Sequence, residues 1–140
     1  MRQTHHRLYV HAIWATWDRL PLITPEVEAA LYSDIRIECA KLKAELVEVG
    51  GIEDHVHVIA RFPPALCIAD LLKQIKGASS HLITHRITGG ESFKWQGAYA
   101  AFTVSERELP RIRAYVRNQK EHHRSGALLD EYEIDVVDLG

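Results

Sequence analysis

The sequence has little cysteine and no long hydrophobic run. Its two cysteines, Cys39 and Cys67, lie far apart and form no CxxC pair, which argues against a disulfide scaffold or a zinc ribbon. We interpret both as reduced thiols in a cytosolic protein. No stretch approaches the roughly 20 apolar residues that a membrane span needs, and the amino terminus lacks the apolar core of a signal peptide. We therefore expect no membrane partner.

Internal repeats, low-complexity tracts and linkers are also absent, so we expect one domain, residues 1–126, followed by an acidic tail, residues 127–140. The net charge of −2 argues at first against a nucleic-acid partner. The tail, however, carries five carboxylates and no Lys or Arg, so residues 1–126 carry +3. The segment Arg111–Arg124 alone sums to +4. Such a patch permits phosphate binding, although a charged helix face is often only solvated.

Apolar periodicity predicts the element order strand, helix, strand, strand, helix, strand, helix. The predicted strands are residues 7–17, two strands within 46–62 that meet at a Gly50-Gly51 turn, and 98–104; the predicted helices are 25–44, 68–88 and 105–124. Thr24 is a candidate N-cap before Pro25, and Ser105 with Glu108 fits a capping box. The order is that of an α+β, ferredoxin-like βαββαβ antiparallel sheet with a further C-terminal helix.

The second of the paired strands contains HVH, with His55 and His57 two residues apart. Residues i and i+2 of a strand point to one face, so both imidazoles lie together while Val56 and Val58 face the core. The pair fits two metal ligands or two half-buried histidines. Ile59 stands where a HIT-type hydrolase has a third histidine, and 140 residues cannot build an amidohydrolase barrel. No glycine-rich phosphate loop supports a small-nucleotide phosphohydrolase.

The last predicted helix places Tyr115 and Gln119 four residues apart, on one helix face. A tyrosine beside a metal site can attack a phosphodiester and hold the DNA end as a phosphotyrosine. The Gln119 amide oxygen is a candidate third ligand. The alternative is an aromatic residue at the core edge and an exposed glutamine.

Five stretches in this order resemble the single-tyrosine HUH endonucleases, which include the small transposases of bacterial insertion sequences and the REP-associated tyrosine transposases. They cover most of residues 7–124 and read HAIWATWDRLPLIT, HVH, DLLKQIKGASSHLI, FKWQGAYAAFTVS and YVRNQKEHH. HVH alone is a weak signal, but all five at this spacing are highly specific.

The resemblance implies an antiparallel sheet between helices, with His55, His57 and Gln119 as ligands of Mg²⁺ or Mn²⁺ and Tyr115 as nucleophile. It implies cleavage and rejoining of single-stranded DNA through a 5′-phosphotyrosine, next to a DNA hairpin, in the bacterial cytoplasm at the nucleoid. It also implies a homodimer, with a monomer as the alternative. The competing hypothesis is a domesticated, non-catalytic module that binds hairpin DNA or RNA.

Basic and aromatic residues supply candidate DNA contacts, each with an ordinary structural alternative. A lysine or arginine that contacts phosphate makes affinity fall with salt, and a tryptophan can stack on an unpaired base. His122 and His123 are alternative metal ligands or helix C-terminal cations. The candidate DNA contacts are Arg19, Lys73, Lys76, Trp95, Arg113, Arg117 and Lys120.

Overall fold

The computed structural model describes residues 2–126 and contains one antiparallel sheet with strand order β2-β3-β1-β4. The strands are β1 Tyr9–Ala15, β2 Glu45–Ile52, β3 His55–Arg61 and β4 Ala100–Val104. The helices are α1 Pro25–Lys41, α2 Ile68–Leu82, α3 Leu109–Arg117 and α4 Gln119–Ser125. The predicted ferredoxin-like α+β fold is confirmed. The predicted acidic tail lies outside the described residues.

One face of the sheet packs against α1 and α2 and forms the main core. Val56 and Val58 point into this core, as the strand period predicts, beside Trp14 of β1. Helix α1 begins as predicted, because the Thr24 hydroxyl accepts a hydrogen bond from the Val27 amide and Pro25 follows it. A π-helical turn, Ile83–Ile87, extends α2. None of the helices within residues 2–126 is long and apolar enough to cross a membrane.

The other face of the sheet is covered by α3, which follows a 3₁₀ turn at Glu106–Glu108. Ile59 of β3 and Ile112 and Val116 of α3 form a second, smaller apolar cluster there. A side chain on this face of β3 is therefore buried rather than solvated. The histidines of HVH lie on this face.

The predicted turn at Gly50-Gly51 is wrong. Both glycines lie inside β2, where Gly50 pairs with His57 and Gly51 pairs with Val56, and the hairpin turns at Glu53-Asp54. An alanine Cβ at Gly50 would lie 1.8 Å from the Val116 carbonyl oxygen. The glycine is needed because the helix backbone approaches the strand closely, not because the chain turns.

The single helix predicted over 105–124 is also wrong, since α3 and α4 are separated at Asn118. That residue has φ −100° and ψ 28°, outside the helical region. The predicted capping box is absent as well, because the Ser105 side chain makes no capping hydrogen bond. The regular helix begins at Leu109 instead of Ser105. Pro110 lies in its first turn, where the missing N–H is tolerated.

Candidate metal and nucleophile site

His55 and His57 lie side by side on β3 and are both buried. Their ring centroids are 5.2 Å apart. β3 is an inner strand, paired with β1 and β2, so the backbone beneath the two imidazoles is fixed on both sides. The strand period thus brings both rings to one position under the helices that follow β4.

Each histidine has a hydrogen-bonded partner at Nδ1. His57 Nδ1 lies 2.9 Å from His11 Nε2, and His55 Nδ1 lies 2.8 Å from an Asp54 carboxylate oxygen. Such partners fix the orientation and tautomer of a metal-binding histidine. Nε2 is consequently the atom that each ring offers for metal binding.

Asp54 also holds Arg19, whose Nε lies 3.2 Å from the second carboxylate oxygen. Burial alone would raise the pKa of Asp54. The hydrogen bond with His55 and the neighbouring His55, Arg19 and His123 side chains outweigh burial, so the pKa of this carboxyl lies below its usual value. Asp54 is therefore a carboxylate at neutral pH, able to accept the proton of His55 Nδ1.

Tyr115 projects from α3 onto the histidines. Its ring meets the His57 ring edge-on, with 6.2 Å between centroids, and stacks on the His122 ring at 4.5 Å. The side chain is only 2% exposed. The close approach of α3 to Gly50, the strand partner of His57, makes this contact possible.

Gln119, the first residue of α4, is buried beside the same group. Its Nε2 donates to the Tyr115 carbonyl oxygen at 3.4 Å, and its Oε1 lies 3.0 Å from His123 Nε2. The His123 ring in turn lies 4.9 Å from that of His55. The fold therefore gathers all four predicted chemical residues from one chain, with the two alternative ligands around them.

The side chains fit a divalent ion in part. His55 Nε2 is buried and has no hydrogen-bond partner among residues 2–126, which is a costly state that a bound cation would relieve. Within the same residues, no three His, Cys, Asp or Glu side chains form a ready metal site. In this structure Gln119 Oε1 contacts His123 Nε2, so its role as the third ligand stays a prediction.

The sequence profile of the family described as "Transposase IS200 like" matches residues 4–119. The chain belongs to this family. The ISDra2 transposase TnpA of Deinococcus radiodurans is 28% identical over 121 residues, covering 81% of this chain and 85% of that protein. A transposase for insertion sequence IS200 from Salmonella typhimurium is 26% identical over 125 residues, covering 85% and 81%.

Two solved structures share the fold. A crystal structure of a putative transposase from Deinococcus radiodurans superposes with a TM-score of 0.68 at 30% identity, covering 85% of this chain and 95% of that one. A REP-associated tyrosine transposase bound to a REP hairpin superposes with a TM-score of 0.65 at 13% identity, covering 99% and 78%. The second likeness concerns the fold alone.

The predicted DNA contacts of this IS200-like transposase differ in their surroundings. Lys76 Nζ donates to the carbonyl oxygens of Gln96, Gly97 and Ala98 at 2.7–3.3 Å, so its ammonium holds a loop in place. Trp95 is buried, and its Nε1 donates to the Ser79 hydroxyl. Trp95 thus offers no free ring face in this structure, Lys76 is half-buried with its ammonium occupied, and contact of either residue with DNA stays a prediction.

The remaining basic candidates of the transposase lie at the surface, mostly in ion pairs. Arg113 and Arg117 both pair with Glu48, and Lys120 pairs with Glu28. The basic partner in each pair is exposed, while the carboxylates of Glu48 and Glu28 are mostly buried. Lys73 is exposed on α2. A DNA role for each stays a prediction.

Sequence reasoning missed His11 and Asp54. The signal for Asp54 was its place directly before HVH. The signal for His11 was its place on β1, in register with the histidine face, since His11 pairs with Ile59 of β3. His11 and His57 are 46 residues apart in the sequence, so the order of the strands must be known before His11 can be placed beside His57.

Proposed function

We propose that this transposase cleaves single-stranded DNA and rejoins strands through a covalent bond between a 5′ phosphate and Tyr115. The observation that carries the proposal is the contact of the Tyr115 ring with His57, in a buried cluster that also contains His55 and Gln119. A buried group of histidines beside a tyrosine has no packing advantage over apolar residues, so its chemistry argues for a functional role.

In the proposed cleavage, the Tyr115 phenolic oxygen bonds to phosphorus while the bond from phosphorus to the 3′ oxygen breaks. The phenol loses its proton to solvent, and the departing 3′ oxygen takes one up. One phosphodiester replaces another, so the free 3′-OH can reverse the step without ATP.

His55, His57 and Gln119 are the residues we propose to hold Mg²⁺ or Mn²⁺. When bound, the ion would neutralise charge on the scissile phosphate and align it. His11 and Asp54 orient the two imidazoles through Nδ1.

The burial of Tyr115 adds a requirement. A phenol that is 2% exposed cannot reach a phosphodiester in bulk solvent, so we infer that DNA binding displaces α4, whose His122 ring stacks on Tyr115. The short α4 and the break at Asn118 supply a point where the backbone can bend.

We propose a DNA hairpin next to the cleavage site as the partner, supported by the hairpin bound to the REP-associated relative. The bacterial relatives support action in the cytoplasm, at the nucleoid. We propose a homodimer, with a monomer as the alternative. The non-catalytic binding module is the competing outcome of the experiment below.

The experiment incubates the protein with single-stranded DNA carrying the flanks of its own gene, with Mn²⁺, and resolves covalent adducts on denaturing gels. We expect an adduct that Tyr115→Phe abolishes and that Tyr99→Phe, which alters a tyrosine outside the cluster, leaves intact. We expect His57→Ala and chelation by EDTA to remove it too. Hairpin binding without any adduct would instead establish the non-catalytic module.

A further inference from the structure

Trp17 is the exposed tryptophan of this protein. It is 46% exposed, whereas Trp14 and Trp95 are buried. It begins a 3₁₀ turn, Trp17–Arg19, two residues after Ala15 ends β1. Of the three tryptophans, Trp17 is therefore the one that a ligand can reach.

The turn that carries Trp17 is strained. Asp18 and Arg19 have φ values of 52° and 51°, in the left-handed region that residues other than glycine rarely adopt. Two contacts impose it: the Thr16 hydroxyl donates to the Leu20 carbonyl oxygen at 2.7 Å, and the Asp18 amide donates to Gln96 Oε1 at 3.1 Å. Strain that the surroundings maintain in this way is common at functional sites.

The segment Lys94–Gln96 contacts the turn that carries Trp17. The Trp17 amide donates to the Lys94 carbonyl oxygen at 2.9 Å, and the Lys94 ammonium lies 3.9 Å from the ring centroid. Trp95 anchors the segment in the core against Trp14. The backbone of Trp17 is therefore tied to this segment, and a positive charge lies over its ring.

The turn adjoins the histidine strand. Ala15 pairs with His55, and the Thr16 amide donates to the Asp54 carbonyl oxygen. The Arg19 guanidinium reaches the Asp54 carboxylate that orients His55. The turn that carries Trp17 is therefore connected directly to the residues that hold His55 in place.

We propose that Trp17 is a stacking platform for an unpaired base of the DNA strand, and that the base displaces the exposed Lys94 ammonium from the ring toward the adjoining phosphate. An exposed aromatic ring beside cations is how proteins bind single strands without reading their sequence. The bases of a duplex are stacked on one another and offer no free face. This inference rests on the proposed function, because single-stranded DNA is its ligand.

The test uses the Tyr115→Phe protein, so that binding is measured without cleavage. A fluorescently labelled, mixed-sequence single strand and its duplex are titrated with this protein and with three further variants of it. We expect Trp17→Ala to weaken single-strand binding by about 5- to 150-fold, which corresponds to about 1–3 kcal/mol per stacked base. Trp17→Phe should restore part of the affinity. Leu20→Ala removes an exposed apolar side chain from the same loop and should change nothing.

Tryptophan fluorescence gives an independent signal. We expect the single strand to quench emission from the Tyr115→Phe protein, and the quenching to disappear in Trp17→Phe. The proposal is overturned if Trp17→Ala binds the single strand as tightly as Leu20→Ala, or if the duplex binds with the same dependence on Trp17. Adduct formation is measured separately with the wild-type protein. If no adduct forms but single-strand binding still depends on Trp17, the proposed function is refuted and the stacking role of Trp17 stands.

Discussion

Replacing Gly50 with alanine should push the tyrosine helix away from the histidines. The added Cβ would lie 1.8 Å from the Val116 carbonyl oxygen and 2.8 Å from its carbon. Both are backbone atoms, so no side-chain rotation relieves the overlap. Raising 1.8 Å to 3.0 Å, the shortest contact that real Cβ atoms make, requires a movement of 1.2 Å.

The movement falls on the residues that carry the chemistry. Val116 follows Tyr115 directly, so displacement of α3 displaces the phenol from His57. A misplacement of about 1 Å can cost about 100-fold in rate, and we expect adduct formation to slow by that factor. Overpacking of this kind lowers the free energy of unfolding by about 1–3 kcal/mol. We expect most of the protein to remain folded.

The assay compares initial rates of adduct formation with urea unfolding curves for the same variants. Gly77→Ala is the matched control, since a Cβ at this position of α2 meets nothing within 4 Å, and alanine in a helix is worth about 0.5–1 kcal/mol over glycine. We expect the control to be slightly more stable and fully active. If the Gly50 variant is folded and cleaves at the normal rate, the close approach of α3 to β2 does not position Tyr115.

Three further changes test other contacts. Replacing His11 with alanine removes the hydrogen bond at His57 Nδ1 and should weaken Mn²⁺ binding, measured by calorimetry without DNA, by about 10- to 100-fold; unchanged affinity would remove His11 from the site. Lys76→Met should lower the free energy of unfolding by about 1–3 kcal/mol because three carbonyl oxygens lose their donor; if it acts only structurally, the salt dependence of DNA binding stays the same. Burial, and then the Glu38 carboxylate, raise the pKa of Asp34, so ionised Asp34 destabilises the fold at neutral pH and the penalty vanishes below its unfolded pKa of about 3.9. Asp34→Asn should raise the free energy of unfolding more at pH 7 than at pH 3; an equal gain at both pH values would contradict the assignment.

The sequence predicts the fold because the apolar residues clearly repeat with the period of a strand in some segments and of a helix in others. The alternation around His55 and His57 correctly separates Val56 and Val58 into the core. Thr24 with Pro25 correctly begins α1. These are local signals, and tertiary packing does not override them.

The failures occur where distant segments decide the outcome. Two adjacent glycines usually indicate a turn, but Gly50 is required by α3, some sixty residues later in the chain. Neither glycine nor proline occurs at the break at Asn118, so the sequence does not predict it. The burial of Trp95 and exposure of Trp17 depend on which of them reaches the space beside Trp14, and spacing along the chain does not reveal that.

Mass spectrometry of the protein–DNA adduct tests the central claim most directly. The wild-type protein is reacted with single-stranded DNA from the flanks of its gene and Mn²⁺, digested with nuclease and protease, and the modified peptide is sequenced. We expect a 5′-phosphonucleotide on Tyr115 and on no other residue. A nucleotide attached to a different side chain, or cleaved DNA with no covalent intermediate at all, would contradict it.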